Sequence, residues 1–531
     1  MKKRAFAIMM SLILLFSATG IRMASLARST RQAGVTASTM SIDIKTLRGT
    51  VYDCNLKPLT NSEMLLYAAA KPSGYALGQL KGKVMPDVFE SVLKRMAAGK
   101  PVAVKIDSHI VPSSDIKEFE VAQRYASDSL ACHIIGYLDG SGDGVSGIEE
   151  SFDSLLSEGE STVRVRFSSD ANGRVMIGEE ISVEGEKVPS EGVVLTIDKD
   201  IQMITEKALD GSGAECAAAV VIEIESGAIR ACASRPLFDG DNIAASLNDE
   251  KSPLINRALL PFSVGSVFKP VVAAAALEGG VSENFEYNCT GSVTHNGVTF
   301  NCHKEDGHGV LNMEGALTYS CNTYFIALAI ETGADKIIET AEKFGFGRET
   351  VLSDKLISSP GFLPGSNKLD SDAAIANISF GQGALTATPV QICNAMASIA
   401  RGGIYIEPYL VEGKTNESGE LIKIKRYEEK LQIISNKHAA MLQNYLKKVV
   451  EEGSGSRAQS ECVTSAGKTA TAQTGKSKGG EEIYNAWFAG YFPADNPKYA
   501  VVIMKEDGGE GALSCAPVFK IIAEECVRID K

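Results

Sequence analysis

The chain opens with a basic tip, Met1-Lys2-Lys3-Arg4, followed by a mostly apolar run over 5–21 that stops at Arg22. That run is slightly short for a spanning helix and long for a signal-peptide core. It reads as an uncleaved anchor over 1–22 with its basic end in the cytoplasm, following the positive-inside rule. Small residues at Ala24 and Ala27 leave removal as a signal peptide open. Either way the remaining chain is exported, and no other segment is long and apolar enough to span. Residues 23–45, rich in Ser, Thr, Ala and Arg, read as a linker or a long strand. From 46 to 186 the pattern predicts short mixed elements, with an amphipathic stretch at 87–96. The polar, proline-bearing segment 184–192 reads as a domain junction.

Beyond the junction the pattern changes. Residues 193–197 predict a strand, and Asp198 is placed to cap a helix whose apolar positions are Ile201, Ile204, Ala208 and Leu209. Apolar runs at 217–224 and 228–233 flank Glu225-Ser226-Gly227, a hairpin signal. Ala-rich helices are predicted at 270–279 and 315–332, and strands return at 463–473, 486–492 and 499–504. Strands on both sides of a helical block predict an α+β domain over 190–531, an antiparallel sheet flanked by helices. No internal repeat or low-complexity tail is evident.

Length and composition narrow the classes. At 531 residues two to four domains are expected, and 44% hydrophobic with 22% charged residues is globular. The net charge of −13 argues against a nucleic-acid-binding surface and fits a solvated acidic exterior. Eleven cysteines, an odd number scattered through the chain, are not a small disulfide scaffold. Cys216, Cys232 and Cys393 lie in apolar runs and read as buried thiols.

Three short patterns carry chemistry. In Gly265-Ser266-Val267-Phe268-Lys269-Pro270 the proline belongs in a helix's first turn, so a helix should begin near Ser266. Ser266 and Lys269 then share one face, beside the unpaired N–H groups and positive dipole end of the helix N-terminus, which suit an oxyanion. A lysine can activate a serine only when neutral, and at an ordinary pKa near 10.4 it is not. Burial or a second cation must therefore lower it. Ser320-Cys321-Asn322 offers a hydroxyl and a carboxamide ahead of an apolar helix, and alone reads equally well as an N-cap. In Gly467-Lys468-Thr469-Ala470-Thr471, strand alternation puts Lys468 with Ala470 and Thr469 with Thr471. A cation and two hydroxyls there suit a peptide carboxylate; the plainer reading is an edge strand with a protective lysine. In this order S-x-x-K, S-x-N and K-T-x form the signature of penicillin-recognising serine enzymes.

On these residues and several others the chain resembles the class B penicillin-binding proteins over nearly its whole length. Arg48-Gly49-Thr50-Val51-Tyr52-Asp53, His133-Ile134-Ile135-Gly136-Tyr137 and Gly144-Val145-Ser146-Gly147-Ile148-Glu149 resemble the family's pedestal motifs. Asn256-Arg257-Ala258, Ser379-Phe380-Gly381-Gln382-Gly383, Thr388-Pro389 and Trp487-Phe488-Ala489-Gly490-Tyr491 resemble its catalytic-domain blocks. The resemblance implies an anchor (1–22), a linker (23–45), a pedestal or dimerisation domain (46–186) and a transpeptidase domain (190–531). It implies a membrane protein with its catalytic domain outside the cytoplasm, cross-linking peptidoglycan stem peptides, binding β-lactams and requiring no cofactor. It also implies a SEDS-family (RodA/FtsW-like) glycan polymerase as partner, and no nucleic acid. By the same resemblance Ser266 is the nucleophile, Lys269 the base, Ser320 the proton relay and Asn322 a donor-peptide contact. Lys468, Thr469 and Thr471 hold the carboxylate, with the N–H groups of Ser266 and Thr471 as oxyanion hole. The alternatives are a β-lactamase or β-lactam sensor, which the long N-terminal part argues against, and an idle scaffold. The family's K-T-G is here K-T-A, and the Ala470 methyl is expected to crowd the region near Lys468 and Ser320 and to alter β-lactam affinity without loss of function, while also keeping the scaffold alternative alive.

Cys289, Cys302, His308 and Cys321 follow one another at intervals of 13, 6 and 13 residues. Asn296-Gly297 is a hairpin signal that brings Cys289 towards Cys302. Three cysteines and a histidine can close a tetrahedral zinc site. A Cys302–Cys321 disulfide and plain buried thiols stay open beside it.

Overall fold

The N-terminal apolar run continues into one long helix, Lys2–Gln32. The computed structural model describes residues 2–32, 38–170, 174–176, 178–185, 187–426 and 429–530. Within the helix the window Ile8–Ser25 has a mean hydropathy of 1.6 and is long and apolar enough to cross a membrane. The expected boundary at residue 22 is passed because 23–32 contain neither Gly nor Pro to stop a helix. The expected linker over 23–45 is accordingly helix up to Gln32 and, from Ser38, the strand Ser38–Leu47.

The remaining contacts divide the chain into two units that interleave in sequence. The first comprises Met1–Arg48, Asn61–Arg124 and Gly159–Pro189; the second comprises Gly49–Thr60, Tyr125–Glu158 and Ser190–Lys531. The contiguous division expected at 46–186 therefore differs from the contacts. Thr50–Tyr52 pairs in parallel with Gly192–Leu195. The buried Asp53 carboxylate accepts from the backbone N–H groups of Asn55, Lys57 and Lys199. Ile134, Ile135 and Ile148 sit in the core of the second unit. Most of the motif residues expected in a pedestal thus belong to the second unit.

The first unit holds two three-stranded sheets. In one, Glu63–Ala70 lies between Val102–Lys105 and Ile116–Gln123, and the amphipathic helix Pro86–Ala97 buries Val92 and Met96 in the adjoining core.

The second unit is built on a five-stranded antiparallel sheet in the order Ile229–Arg235, Ala217–Glu223, Tyr499–Lys505, Glu481–Phe492, Ala466–Lys478. The central strand is buried along its length, which explains its unbroken Tyr-Ala-Val-Val-Ile-Met run. Asp198 caps Lys199–Asp210 through the N–H groups of Asp200 and Ile201. That helix and Ala516–Ile529 pack on one face of the sheet, with Ile201, Leu209, Phe519 and Ile522 against Val221, Phe488 and Ile503. The other face carries Pro389–Ala400, fully buried and started by a capping box in which Thr388 and Gln391 satisfy each other's N–H. Behind it lies the Ala-rich Lys269–Glu278. This is the predicted α+β arrangement, and it leaves Ala466–Lys478 as an edge strand against the helical block.

Candidate active site

The nucleophile candidate sits just ahead of its helix. Gly265–Phe268 forms a 3-10 turn, and the α-helix starts at Lys269 with Pro270 in its first turn, so Ser266 precedes the α-helix. Gly265 has φ +60°, a conformation glycine adopts without cost. Its N–H donates to Gly381 O (2.9 Å), which ties the turn to the Ser-Phe-Gly-Gln-Gly segment. Ser266 is half-buried, and its hydroxyl makes no hydrogen bond among the described residues.

Lys269 is fully buried. Its Nζ donates to Ser320 O (2.8 Å), Asn322 Oδ1 (2.8 Å) and, at 3.3 Å, Ser320 Oγ. The predicted helix over 315–332 is broken here into Met313–Thr318 and Asn322–Thr332. Ser320, at the break, has φ +56°. Cys321 occupies the cap position without a side-chain cap bond, so the motif is not an N-cap in the plain sense. Asn322 Nδ2 donates to Asn301 O (3.1 Å).

From the sheet edge, Lys468 is also fully buried, which removes the protective-lysine reading. Its Nζ donates to Ser320 Oγ (2.9 Å) and to Thr469 O (3.0 Å). Burial pushes the Lys269 amine down to about 8. Burial, and then the neighbouring Lys269 charge, push Lys468 well below the ordinary lysine value. Ser320 is thus the common point of two buried amines whose protons compete. The structure brings Lys269, Ser320, Asn322 and Lys468 into one hydrogen-bonded group, with Ser266 at the turn leading into Lys269.

Thr469 and Thr471 occupy the other set of alternating positions. Thr469 Oγ1 donates to Ser454 Oγ (3.2 Å), while the exposed Thr471 accepts from Gly511 N–H (3.3 Å). Ala470 lies in the same strand. Its buried methyl shares a face with Ala472, and a Cβ built on Gly265 would stand 3.4 Å from the Ala470 Cβ and 3.1 Å from that of Ala472. The methyl therefore packs beside the turn that carries Ser266. Ser454 and Asn301 were not legible as site residues, since neither belongs to a motif.

The thiol group lies directly behind Ser320. The hairpin Ser292–His295/Val298–Asn301 turns at Asn296-Gly297, both at positive φ, as predicted. The Sγ atoms of Cys289, Cys302 and Cys321 and a ring nitrogen of His308 lie within 4.8 Å of one another. Cys302 Sγ is 3.9 Å from Cys321 Sγ and 3.5 Å from His308 Nδ1, and Cys289 Sγ is 3.6 Å from His308 Nδ1. The contact between the two thiols pulls Cys302 down and pushes Cys321 up. All three cysteines are unbridged.

A fold of this kind, with a Ser/Lys pair, a Ser-x-Asn turn and a Lys-Thr edge strand around one hydroxyl, is the arrangement of the penicillin-recognising serine enzymes. Comparison with known proteins agrees. Residues 217–524, more than half the chain, match the penicillin binding protein transpeptidase domain. Penicillin-binding protein PbpB of Mycolicibacterium smegmatis is 31% identical over 76% of this chain, which covers 64% of that relative's length. Peptidoglycan D,D-transpeptidase MrdA of Acinetobacter baumannii is 26% identical over 82% of this chain and 72% of its own. Among solved structures, penicillin-binding protein 3 of Mycobacterium tuberculosis in complex with aztreonam superposes with a TM-score of 0.66 at 25% identity, covering 92% of this chain and 97% of that one. The chain belongs to the class B penicillin-binding proteins.

Proposed function

We propose that this protein is a peptidoglycan D,D-transpeptidase in which Ser266 is the nucleophile. The observation that carries the reading is the convergence of Lys269 and Lys468 on the Ser320 hydroxyl. Ser266 Oγ attacks the penultimate D-Ala carbonyl and Lys269 accepts its proton. The C–N bond breaks, and Ser320 passes a proton to the departing D-Ala amine, leaving an acyl-serine. An amine of a neighbouring stem peptide then attacks the ester and Ser266 regains its proton. Two adjacent buried ammonium groups repel, so a substrate carboxylate near Lys468 favours the charge there and leaves Lys269 neutral as the base. Asn322 holds the donor peptide, Thr469 and Thr471 assist Lys468, and the N–H groups of Ser266 and Thr471 form the oxyanion hole. β-Lactams acylate Ser266 by the same route.

The test is fluorescent penicillin on the full-length protein in detergent, beside Ser266→Ala. A covalent band lost in the variant is the expected result. No band from folded parent protein would favour an idle scaffold, and rapid loss of label a β-lactamase. The same proposal places Ile8–Ser25 in the membrane with the catalytic unit outside, next to a SEDS-family glycan polymerase. Protease accessibility of intact cells and co-purification of a polytopic glycan polymerase check these two points.

The cofactor reading that the distances favour is one structural zinc ion held by Cys289, Cys302, His308 and Cys321. With Zn–S near 2.3 Å and Zn–N near 2.0–2.1 Å, a tetrahedron has edges of about 3.8 Å between sulfurs and about 3.6 Å between sulfur and nitrogen. Three of the six edges, at 3.9, 3.5 and 3.6 Å, match, and the other three lie within 4.8 Å. The ion would cross-link the hairpin to the Ser320 turn and takes no part in acyl transfer. Elemental analysis with thiol titration is expected to give one zinc per chain and three thiols released by a chelator. No zinc with every thiol titratable would remove both zinc and disulfide.

A further inference from the structure

We infer that Ser454 is a further carboxylate-binding residue of this site, an inference that rests on the reading of Lys468 and Thr469 above. Ser454 lies in the short loop between the helix Asn436–Glu451 and the turn Ser456–Ala458. That loop bridges two catalytic elements. Its Ser454 N–H donates to Thr318 O (3.0 Å), two residues before Ser320. A Cβ on the preceding Gly453 would stand 2.3 Å from the same carbonyl, so only glycine lets the loop approach so closely. On the other side Thr469 Oγ1 donates to Ser454 Oγ at 3.2 Å, and Thr469 directly follows Lys468, which holds Ser320 at 2.9 Å.

Of the two hydroxyls, Thr469 is nearly buried at 7% exposure, while Ser454 is partly open to solvent. Ser454 receives the Thr469 proton, and its own proton has no acceptor among the described residues. A carboxylate accepts only, through two oxygens, and needs donors aimed at it. Thr469 to Ser454 to carboxylate is a chain of hydroxyls running in one direction, so each bond polarises the next. Alternatively both protons turn to the anion, one to each oxygen. In both geometries Ser454 O–H meets the substrate, and Lys468 supplies the charge. The bond to an anion is of the stronger, charge-assisted kind.

The experiment compares a penicillin with its methyl ester as acylating agents of the full-length protein, in the parent, Ser454→Ala and Ser454→Thr. The expected result is a fall of about 10-fold in acylation kcat/KM for the acid in Ser454→Ala, the loss of one hydrogen bond to a charged group. The rate with the ester stays unchanged, and Ser454→Thr restores the acid rate. An equal fall with both compounds would mean that Ser454 only supports the loop, and no fall with either that it does not touch the carboxylate; each overturns the inference. A parent that reacts with neither compound refutes the reading of the active site itself, which is a separate failure.

Discussion

Replacing Ala470 by glycine separates two roles for one methyl group. The Ala470 side chain is 3% exposed and faces the backbone of Gly265, next to the proposed nucleophile. Removing a buried methyl costs about 0.8 kcal/mol of transfer free energy. Glycine in a strand adds roughly 0.5–1 kcal/mol through the freedom of the unfolded chain. The variant should therefore lose about 1.5 kcal/mol of stability, or roughly 2 °C in thermal midpoint for a unit of this size. If the methyl also braces the Ser266 turn, up to about 0.8 kcal/mol is missing in the acylation transition state, a slowing of up to about 4-fold. Stopped-flow acylation by a chromogenic β-lactam, alongside a thermal scan, measures both on one preparation. A lowered midpoint with a parental acylation rate would refute the bracing argument, leaving the methyl as filler. A faster rate would mean that alanine hinders the site after all. The reverse perturbation, Gly265→Ala, places a methyl 3.1 Å from the Ala472 Cβ at φ +60° and should be the more damaging of the two.

Four further outcomes are expected. Ser266→Ala should abolish covalent labelling while leaving stability within about 0.5 kcal/mol of parent, since the hydroxyl makes no hydrogen bond among the described residues. Acylation should rise with pH through about 8, because the reactive form of Lys269 is the neutral amine, populated above its lowered pKa; between pH 6.5 and 8.5 the gain is about 20-fold, and a flat profile would sink the assignment of Lys269 as base. Trp487, the only tryptophan, is fully buried and donates from Nε1 to Ser263 O at 3.0 Å. Trp487→Phe leaves that carbonyl unpaired at a cost of about 1–3 kcal/mol, read as a lower midpoint by circular dichroism. Gly453→Ala, with its Cβ 2.3 Å from Thr318 O, should displace the loop and lower both midpoint and acylation; parental values of both would show that the loop is free to move.

Local rules carried much of the fold. The Asp198 cap, the hairpin around Ser226-Gly227 and the fully buried strand 499–505 each follow from a dozen residues or fewer, and each is where its pattern places it. The domain boundary was not local. Thr50–Tyr52 leaves its sequence neighbours and pairs with Gly192–Leu195, and nothing in so short a strand states its partner. The same limit explains Ala470. Alternation correctly placed it with Lys468 and apart from Thr469 and Thr471, but alternation says nothing of what lies opposite a face. Gly265 lies opposite: a Cβ there would stand 3.4 Å from the Ala470 methyl and, more tightly, 3.1 Å from that of Ala472.

The candidate site shows the same division more sharply. Ser266, Lys269, Ser320, Asn322 and Lys468 were legible because each brings its own chemistry within a short motif. The hydrogen bonds that join Lys269, Ser320, Asn322 and Lys468 span 51, 53 and 148 residues. Ser454 and Asn301 have no motif, and enter only because a close backbone approach at Gly453 and a hairpin ending at Asn301 carry them to Thr469 and Asn322. Asn301 steadies Asn322 through an ordinary carbonyl and Ser454 offers an ordinary hydroxyl, groups that look identical on any loop. It follows that differences in substrate or β-lactam preference should be sought first in these loops, where a change alters the direction of a proton or the tilt of a turn and leaves the residues proposed for acyl transfer as they are.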